Sequence, residues 1–541
     1  MLKYIHIGFL LLIMTTSQAA RADVRLASIF GDGMVIQHGV DVHIWGWAEP
    51  GEAVAVSVGK QLLDVNVQQQ PDGAWLATIP SQKPGPVDDI TIKGKNTLTI
   101  KDVLAGEVWL CSGQSNMQFG LKSEMHANTE LPKANHPQIR LFTAASTVAR
   151  EPATDVKGKW EVCTPDSAAN VSAVAYYFGR KLQTSLNVPI GLVCASQGWT
   201  PGEAWMSREA LSTVPELKKD VLDPWDHADQ IYPKAAEEYQ AKKKAWDDAQ
   251  ASAPNVDHGP APEGPFDPGF MHRPCGFWNG AIAPLTRLSI AGVIWYQGET
   301  NVARADQYAR LFPTLIEGWR GAFNRADLPF LFVEIAPVSP PATQPGGSQW
   351  HEVGTSPWAE LREAQRAALK LPRVAMVPTI DIGYTLDVHP LNKRDVGDRL
   401  ASAALTVVYD KPTRFIGPVY KSHKIDGDTV RITFDSVDGG LHFRGGGPEG
   451  FAICGEDKKW YFTPATIEGD EVVIKSPKTP APAAVRYAWS DYAVANLYDG
   501  SGFPVEPFRT DDWPPYTRGK TILTPEEMGF DMQTLLKKKP Q

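Results

Sequence analysis

Residues 108–118 read Val-Trp-Leu-Cys-Ser-Gly-Gln-Ser-Asn-Met-Gln, and this segment decides how the rest of the chain is read. Residues 108–111 form a short apolar run of the kind that makes a buried strand. The run stops at Ser112-Gly113, where the backbone can turn sharply. Ser115 follows, flanked by Gln114 and Asn116. A serine just past the end of a buried strand has a rigid support and faces the cleft at the sheet edge, which is where a nucleophile belongs. A polar turn leaving a core strand would read the same way, so the assignment depends on whether partners exist elsewhere.

A serine nucleophile needs a base, a carboxylate to orient it, and donors for the oxyanion. The histidine in a matching context is His389, in Leu386-Asp387-Val388-His389-Pro390, beyond the strand-like run 374–377. Asp387 is close enough along the chain to reach the imidazole Nδ1, leaving Nε2 for the serine. Asp381, directly after the same run, competes for that role; its position also suits a carboxylate that holds a loop. Donors can come from two further strand ends. Residues 189–195 run into Ser196-Gln197-Gly198-Trp199, and residues 291–296 into Gln297-Gly298-Glu299-Thr300-Asn301. Gly198 offers a backbone N–H, and Gln297 or Asn301 a side-chain amide. Gln114, Asn116, Trp199, Glu299 and Asn301 are candidates for substrate binding, while Glu299 and Glu203 also suit structural carboxylates. Ligands of open parallel sheets gather at the carboxyl ends of strands, so the four clusters are expected to converge.

Taken together, these segments resemble the SGNH/GDSL-type hydrolases, and within them the sialate O-acetylesterase-like carbohydrate esterases. The resemblance rests on Gly113-Gln114-Ser115-Asn116-Met117, Trp295-Tyr296-Gln297-Gly298-Glu299-Thr300-Asn301 and Asp387-Val388-His389-Pro390-Leu391-Asn392-Lys393. Residues 30–37, 44–47 and 487–491 add to it, so it spans nearly the whole chain after the leader. It implies a three-layer α/β/α catalytic fold with a parallel sheet, Ser115 as nucleophile, His389 as base and Asp387 as its partner. It also implies an oxyanion hole from the Ser115 N–H, the Gly198 N–H and the Gln297 amide. One block departs from the family: Ser-Gln-Gly-Trp-Thr-Pro stands at 196–201 where a Gly-Gly-Thr type sequence is usual.

Composition narrows the alternatives. With 541 residues the chain exceeds one core, and about three domains are expected. A net charge of −9 disfavours nucleic acid as a partner. The chain carries 17 Trp, some of which in a sugar-handling protein should serve as flat stacking surfaces. Residues 1–22 read as a secretory leader: Lys3, a short apolar stretch, then Ala20-Arg21-Ala22. Export to the periplasm or the medium is therefore expected, with no membrane span. Of five Cys, an odd number, at least one must stay unpaired, and Cys111 and Cys194 in apolar runs read as buried thiols. No His-Glu-x-x-His or Cys-x-x-Cys occurs, so neither a metal nor another cofactor is expected.

Along the chain, residues 23–104 show short alternating strands that suggest a β-sandwich. Residues 105–409 switch to buried strands separated by helical stretches at 173–186, 304–323, 359–371 and 396–409. Residues 208–275 interrupt this as an insertion near the site entrance. There Tyr232, Ala236, Tyr239 and Trp246 share a helix face, and Asp247-Asp248 are expected to end that helix. Residues 337–347 read as a long loop. Residues 410–515 return to strand alternation as a second sandwich, and 516–541 read as a tail. The reaction expected is removal of acetyl groups from an acetylated carbohydrate, of the xyloglucan or xylan type or sialic acid. A non-catalytic carbohydrate-binding protein would suit the sandwiches and Trp content but not the strand-end serine, histidine and aspartate. A lipid or thioester hydrolase on the same fold would be expected to carry an apolar lid, and none is visible.

Overall fold

The computed structural model describes residues 23–67, 73–262, 264, 269–339, 353–385 and 387–521. Its centre is strand β1, Val103–Gly113, buried along its whole length. The other strands of this sheet are β2 (His136–Thr143), β3 (Trp160–Cys163), β4 (Ile190–Ser196), β5 (Gly292–Tyr296), β6 (Phe330–Val333) and β7 (Val374–Val377), in the order β3-β2-β4-β1-β5-β6-β7. Every pairing along that order is parallel except β2 with β3 at one edge. The winding reverses around β1, which has β4 on one side and β5 on the other, and such a reversal opens a crevice at the strands' carboxyl ends.

Both faces of the sheet are covered, which is why its strands read as apolar runs rather than as an alternation. Trp109, Cys111, Leu192, Ile294 and Leu331 pack on one face with residues of helices Ala173–Leu186 and Lys393–Val407. Val108, Leu110, Val193, Trp295 and Phe332 pack on the other with residues of helices Ala305–Ala322 and Pro357–Gln365. The helix starts are capped: the side chains of Ser172 and Asn392 accept from the N–H groups of Ala175 and Asp395.

Two four-stranded antiparallel sheets precede this layer, and Val42, Ile44, Val56, Trp75, Ile90 and Ile92 from them join the same core as Val108 and Leu110. The first residues of β1 also pair with Val35–Gln37 and Gly85–Val87, so one strand runs from the amino-terminal β-rich region into the central sheet. A carboxyl-terminal β-rich region has its own core around Val430, Ile432, Phe451, Ile453, Val485 and Tyr487. Ion pairs Arg366–Glu506 and Arg509–Glu363 tie it to the catalytic layer. The architecture is mixed α/β, with a largely parallel central sheet and β-rich regions on either side in sequence.

Two local expectations are corrected. The insertion helix runs Asp223–Ser252 and does not stop at Asp247-Asp248. These acids pair one turn back with Lys243 and Lys244, which offsets their poor position near the helix end. Thr517, assigned to the tail, is fully buried, because its N–H and hydroxyl both donate to Glu360. The leader-like residues 1–22, most of the loop at 337–347, and residues 522–541 lie outside the described residues. All five cysteines are buried and free. Among the described residues no helix is long and apolar enough to cross a membrane, and no cluster of His, Cys, Asp and Glu is arranged to hold a metal.

Candidate active site

The turn that carries Ser115 is set by Gly113. Its φ is +140°, and a Cβ there would lie 2.1 Å from the carbonyl oxygen of Tyr296, so only glycine fits this approach of β1 to β5. The Gln114 N–H then donates to Tyr296 O at 2.9 Å, and Ser115–Gln118 form one helical turn. Ser115 is half-buried, and its N–H, in the first turn of this helix, has no acceptor among the described residues.

Asp387 and His389 come together as their spacing suggests. Asp387 Oδ1 is 2.7 Å from His389 Nδ1 and also accepts the His389 backbone N–H at 2.9 Å, which fixes the ring within its loop. Phe119 stacks near the imidazole, with ring centroids 6.3 Å apart. Asp381 is engaged elsewhere, accepting two hydrogen bonds of 2.8 Å from Arg399. Ser115 and His389 line one cavity of about 630 Å³, with Gln114, Gly198, Trp199 and Glu299 also on its wall. No hydrogen bond joins Ser115 to His389 in this state; such bonds are often long in unliganded enzymes and tighten with substrate.

Several side chains expected to face the reaction are spent on the protein itself. Gln297 is fully buried, and its amide nitrogen donates to Thr200 O at 3.2 Å and to Asn301 Oδ1 at 2.7 Å. Its Oε1 accepts from the Tyr308 hydroxyl at 2.9 Å, so Gln297 presents no free donor to an oxyanion. Asn301, also buried, accepts from Gly202 N and donates to Glu203. Glu203 in turn pairs with Arg304 at 2.9 Å, consistent with its reading as a structural carboxylate. The Gly198 N–H donates at 2.8 Å to Oε1 of Gln118, so it too is occupied, although Gly198 sits directly against Ser115. Asn116 is buried and does not reach the cavity wall. Its amide nitrogen donates to Glu299 Oε1 at 2.6 Å and to Val388 O at 2.9 Å, and its oxygen accepts from Lys393 Nζ. Gln114 keeps to the cavity wall and accepts from the N–H groups of Gly298 and Thr300.

Trp199 is 39% exposed and adopts φ +59°, an uncommon conformation for a bulky residue and one that concentrates at functional sites. Phe270 and His272, from the end of the insertion, pack edge-on against it, and His272 Nε2 bonds to Trp199 O. Burial holds the His272 imidazole below its ordinary pKa. Trp225 of the insertion helix and Trp358 complete an aromatic wall.

Sequence reasoning missed Gln118, Trp225, His272, Trp358 and Lys393 as parts of the site. Lys393 left a signal: a lysine in the first turn of a helix opposes the helix dipole, so its presence there calls for a reason. It is fully buried, and burial lowers its pKa to about 7. Burial likewise raises the Glu299 carboxyl above its ordinary range.

Residues 105–231 and 279–406 match the model of the carbohydrate esterase, sialic acid-specific acetylesterase family. The chain is 29% identical to the sialate O-acetylesterase of Rattus norvegicus, over 92% of this chain and 96% of that protein. With the human sialate O-acetylesterase it shares 28% identity over 75% of this chain and 76% of that one. The structure of a carbohydrate acetylesterase from Xanthomonas citri superposes with a TM-score of 0.75 at 33% identity, covering 91% of this chain and all of that one. With its mixed α/β fold and a strand-end serine facing an Asp–His pair, the chain belongs to the sialate O-acetylesterase-like carbohydrate esterases of the SGNH type and is a carboxylic-ester hydrolase.

Proposed function

We propose that the protein is an exported O-acetylesterase that removes acetyl groups from sugar hydroxyls through an acyl-enzyme on Ser115. The observation that carries this reading is the 2.7 Å Asp387–His389 pair on the wall of the cavity that Ser115 lines. Ser115 Oγ attacks the acetyl carbonyl while His389 Nε2 takes its proton, and Asp387 holds the Nδ1–H and supports the imidazolium. The imidazolium gives that proton to the departing sugar oxygen. Water, deprotonated by His389, then attacks the acyl-enzyme, releasing acetate and restoring the serine. The Ser115 N–H is the donor free to meet the oxyanion. The Gly198 N–H joins it once the exposed Gln118 side chain rotates away.

Trp199, Trp225 and Trp358 support a carbohydrate substrate, since pyranose faces are apolar and pack on flat rings. Arg304, the guanidinium on the cavity wall, is already paired with Glu203, and this favours a neutral acetylated glycan of the xyloglucan or xylan type over the carboxylate-bearing sialic acid. Export rests on residues 1–22 alone. Ser115→Ala is expected to remain folded by circular dichroism and to lose acetate release by a factor of roughly 10⁴ or more. Turnover near that of the wild type in the folded variant would remove Ser115 as nucleophile. Acetate release from acetylated xylan, acetylated xyloglucan and O-acetylated sialic acid, measured side by side, tests the substrate class.

A further inference from the structure

Beneath the Ser115 turn lies a buried array that the reaction as described does not use. Asn116, next to the nucleophile, donates at 2.9 Å to the carbonyl of Val388, the residue before the base. One side chain thus spans the gap between the two reacting loops. Its amide is held at both ends by ionisable side chains: Lys393 Nζ donates to its oxygen, and Glu299 Oε1 accepts from its nitrogen at 2.6 Å. A flip of the amide is opposed by geometry, because it would set the Asn116 carbonyl oxygen against the carbonyl of Val388 and against Glu299 Oε1. Lys393 is fully buried and lies 4.8 Å from the centre of the Phe119 ring, the ring that stacks near His389. The second carboxylate oxygen of Glu299 is buried without a hydrogen-bond partner. Buried ionisable groups are a poor source of stability compared with well-packed apolar residues, so their placement around a bridge between nucleophile and base points to alignment instead.

We propose that Lys393 and Glu299, acting through Asn116, are positioning residues that fix Ser115 relative to His389 for ester hydrolysis. The proposal rests on the esterase reading above. The groups facing Glu299 are Lys393 and His389, with Tyr296 and Tyr308 behind it, and those facing Lys393 are Glu299 and Asp387. Loss of the Lys393 donor leaves the Asn116 oxygen unanchored, so the bridge can shift, and a misplacement of about 1 Å between reacting groups costs roughly 10²-fold in rate.

The test uses the full chain with 4-nitrophenyl acetate, alongside thermal unfolding. Lys393→Met is expected to lower kcat by roughly 10²-fold with KM within about threefold of wild type. Glu299→Gln keeps an acceptor for Asn116 but weakens the hydrogen bond that holds its nitrogen, so a fall of several-fold in kcat is expected. kcat is taken per site titrated with a covalent serine reagent, so a merely structural loss of folded enzyme would not lower it. The double variant should stay slow, because the Asn116 oxygen is still unanchored. Folded single variants with kcat within twofold of wild type, or a double variant restored to wild-type kcat, would overturn the proposal. Should Lys393→Met fail to fold, Glu299→Gln carries the test by the same criteria. Ser115→Ala, run in parallel, separates the two readings: if it stays active the esterase assignment fails, whereas an inactive Ser115→Ala beside an active Lys393→Met refutes only the positioning role.

Discussion

Four polar residues that look interchangeable in sequence do different work in the fold. Gln114 lines the cavity, Asn116 bridges two loops, Gln297 is locked in the interior, and Asn301 links Gln297 to Glu203. Gln297 makes the sharpest contrast with the role the family resemblance implies. Truncating it takes the amide donor from Thr200 O, removes one of two donors from Asn301 Oδ1 and leaves the Tyr308 hydroxyl only a 3.5 Å contact to Gln297 O, and each buried polar group left alone costs about 1–3 kcal/mol. Gln297→Ala is therefore expected to lose several kcal/mol of stability while kcat per folded molecule, read by titrating Ser115 with a covalent serine reagent, stays within a few-fold. A stable variant whose kcat drops by roughly 10² would return Gln297 to the oxyanion hole. The sequence showed that amides surround the serine; which of them had spare donors depended on neighbours from distant segments.

Among the elements, the insertion takes a direct part in the cavity. Its helix carries Trp225 to the cavity wall, and its end brings Phe270 and His272 against Trp199. It thus lines the cavity that Ser115 and His389 share. Trp199→Ala should raise KM for an acetylated oligosaccharide by about tenfold, the worth of one aromatic contact, and leave aryl acetate kinetics nearly unchanged. Equal KM values on both substrates would show that Trp199 does not touch sugar. The end of β6 supplies a second test. Glu334 is fully buried, neither carboxylate oxygen has a hydrogen-bond partner, and burial raises its pKa to about 7. An unfolded carboxyl releases its proton near ~4.3, so between that pH and about 7 the folded state binds more protons and stability falls as pH rises. The cost is complete above pH ~7. Glu334→Gln cannot ionise, so its unfolding midpoint should exceed that of wild type at pH ~8, with the gap closing by pH ~5. A lower midpoint at the higher pH would mean that attraction to the nearby Arg366 and Arg362 outweighs the burial cost.

At the scale of the molecule, the catalytic layer does not stand alone. Its longest strand also belongs to the amino-terminal β-rich region, and the two share one core. On the other side, Glu360 holds Tyr516 and Thr517, and Arg486–Asp511 anchors the last strands. Cutting the chain between the regions would expose apolar surface on both sides, so the catalytic layer expressed alone is expected to aggregate or to show a clearly lower unfolding midpoint than the full chain.

Sequence alone determined what local spacing can encode. The apolar runs marked β1, β4, β5 and β7, and helix Ala173–Leu186 appears at its expected bounds. The Asp387–His389 contact was legible for the same reason, since its partners are 2 residues apart and one loop suffices to join them. Tertiary structure alone decided the partners of the buried amides and charges. Lys393 meets Asn116 across 277 residues, and Glu299 meets it across 183. Periodicity says which face of an element is buried but not which group from a distant segment will lie against it. A buried polar group must take whatever donor or acceptor the fold brings to it, so the final wiring of the site was set by packing.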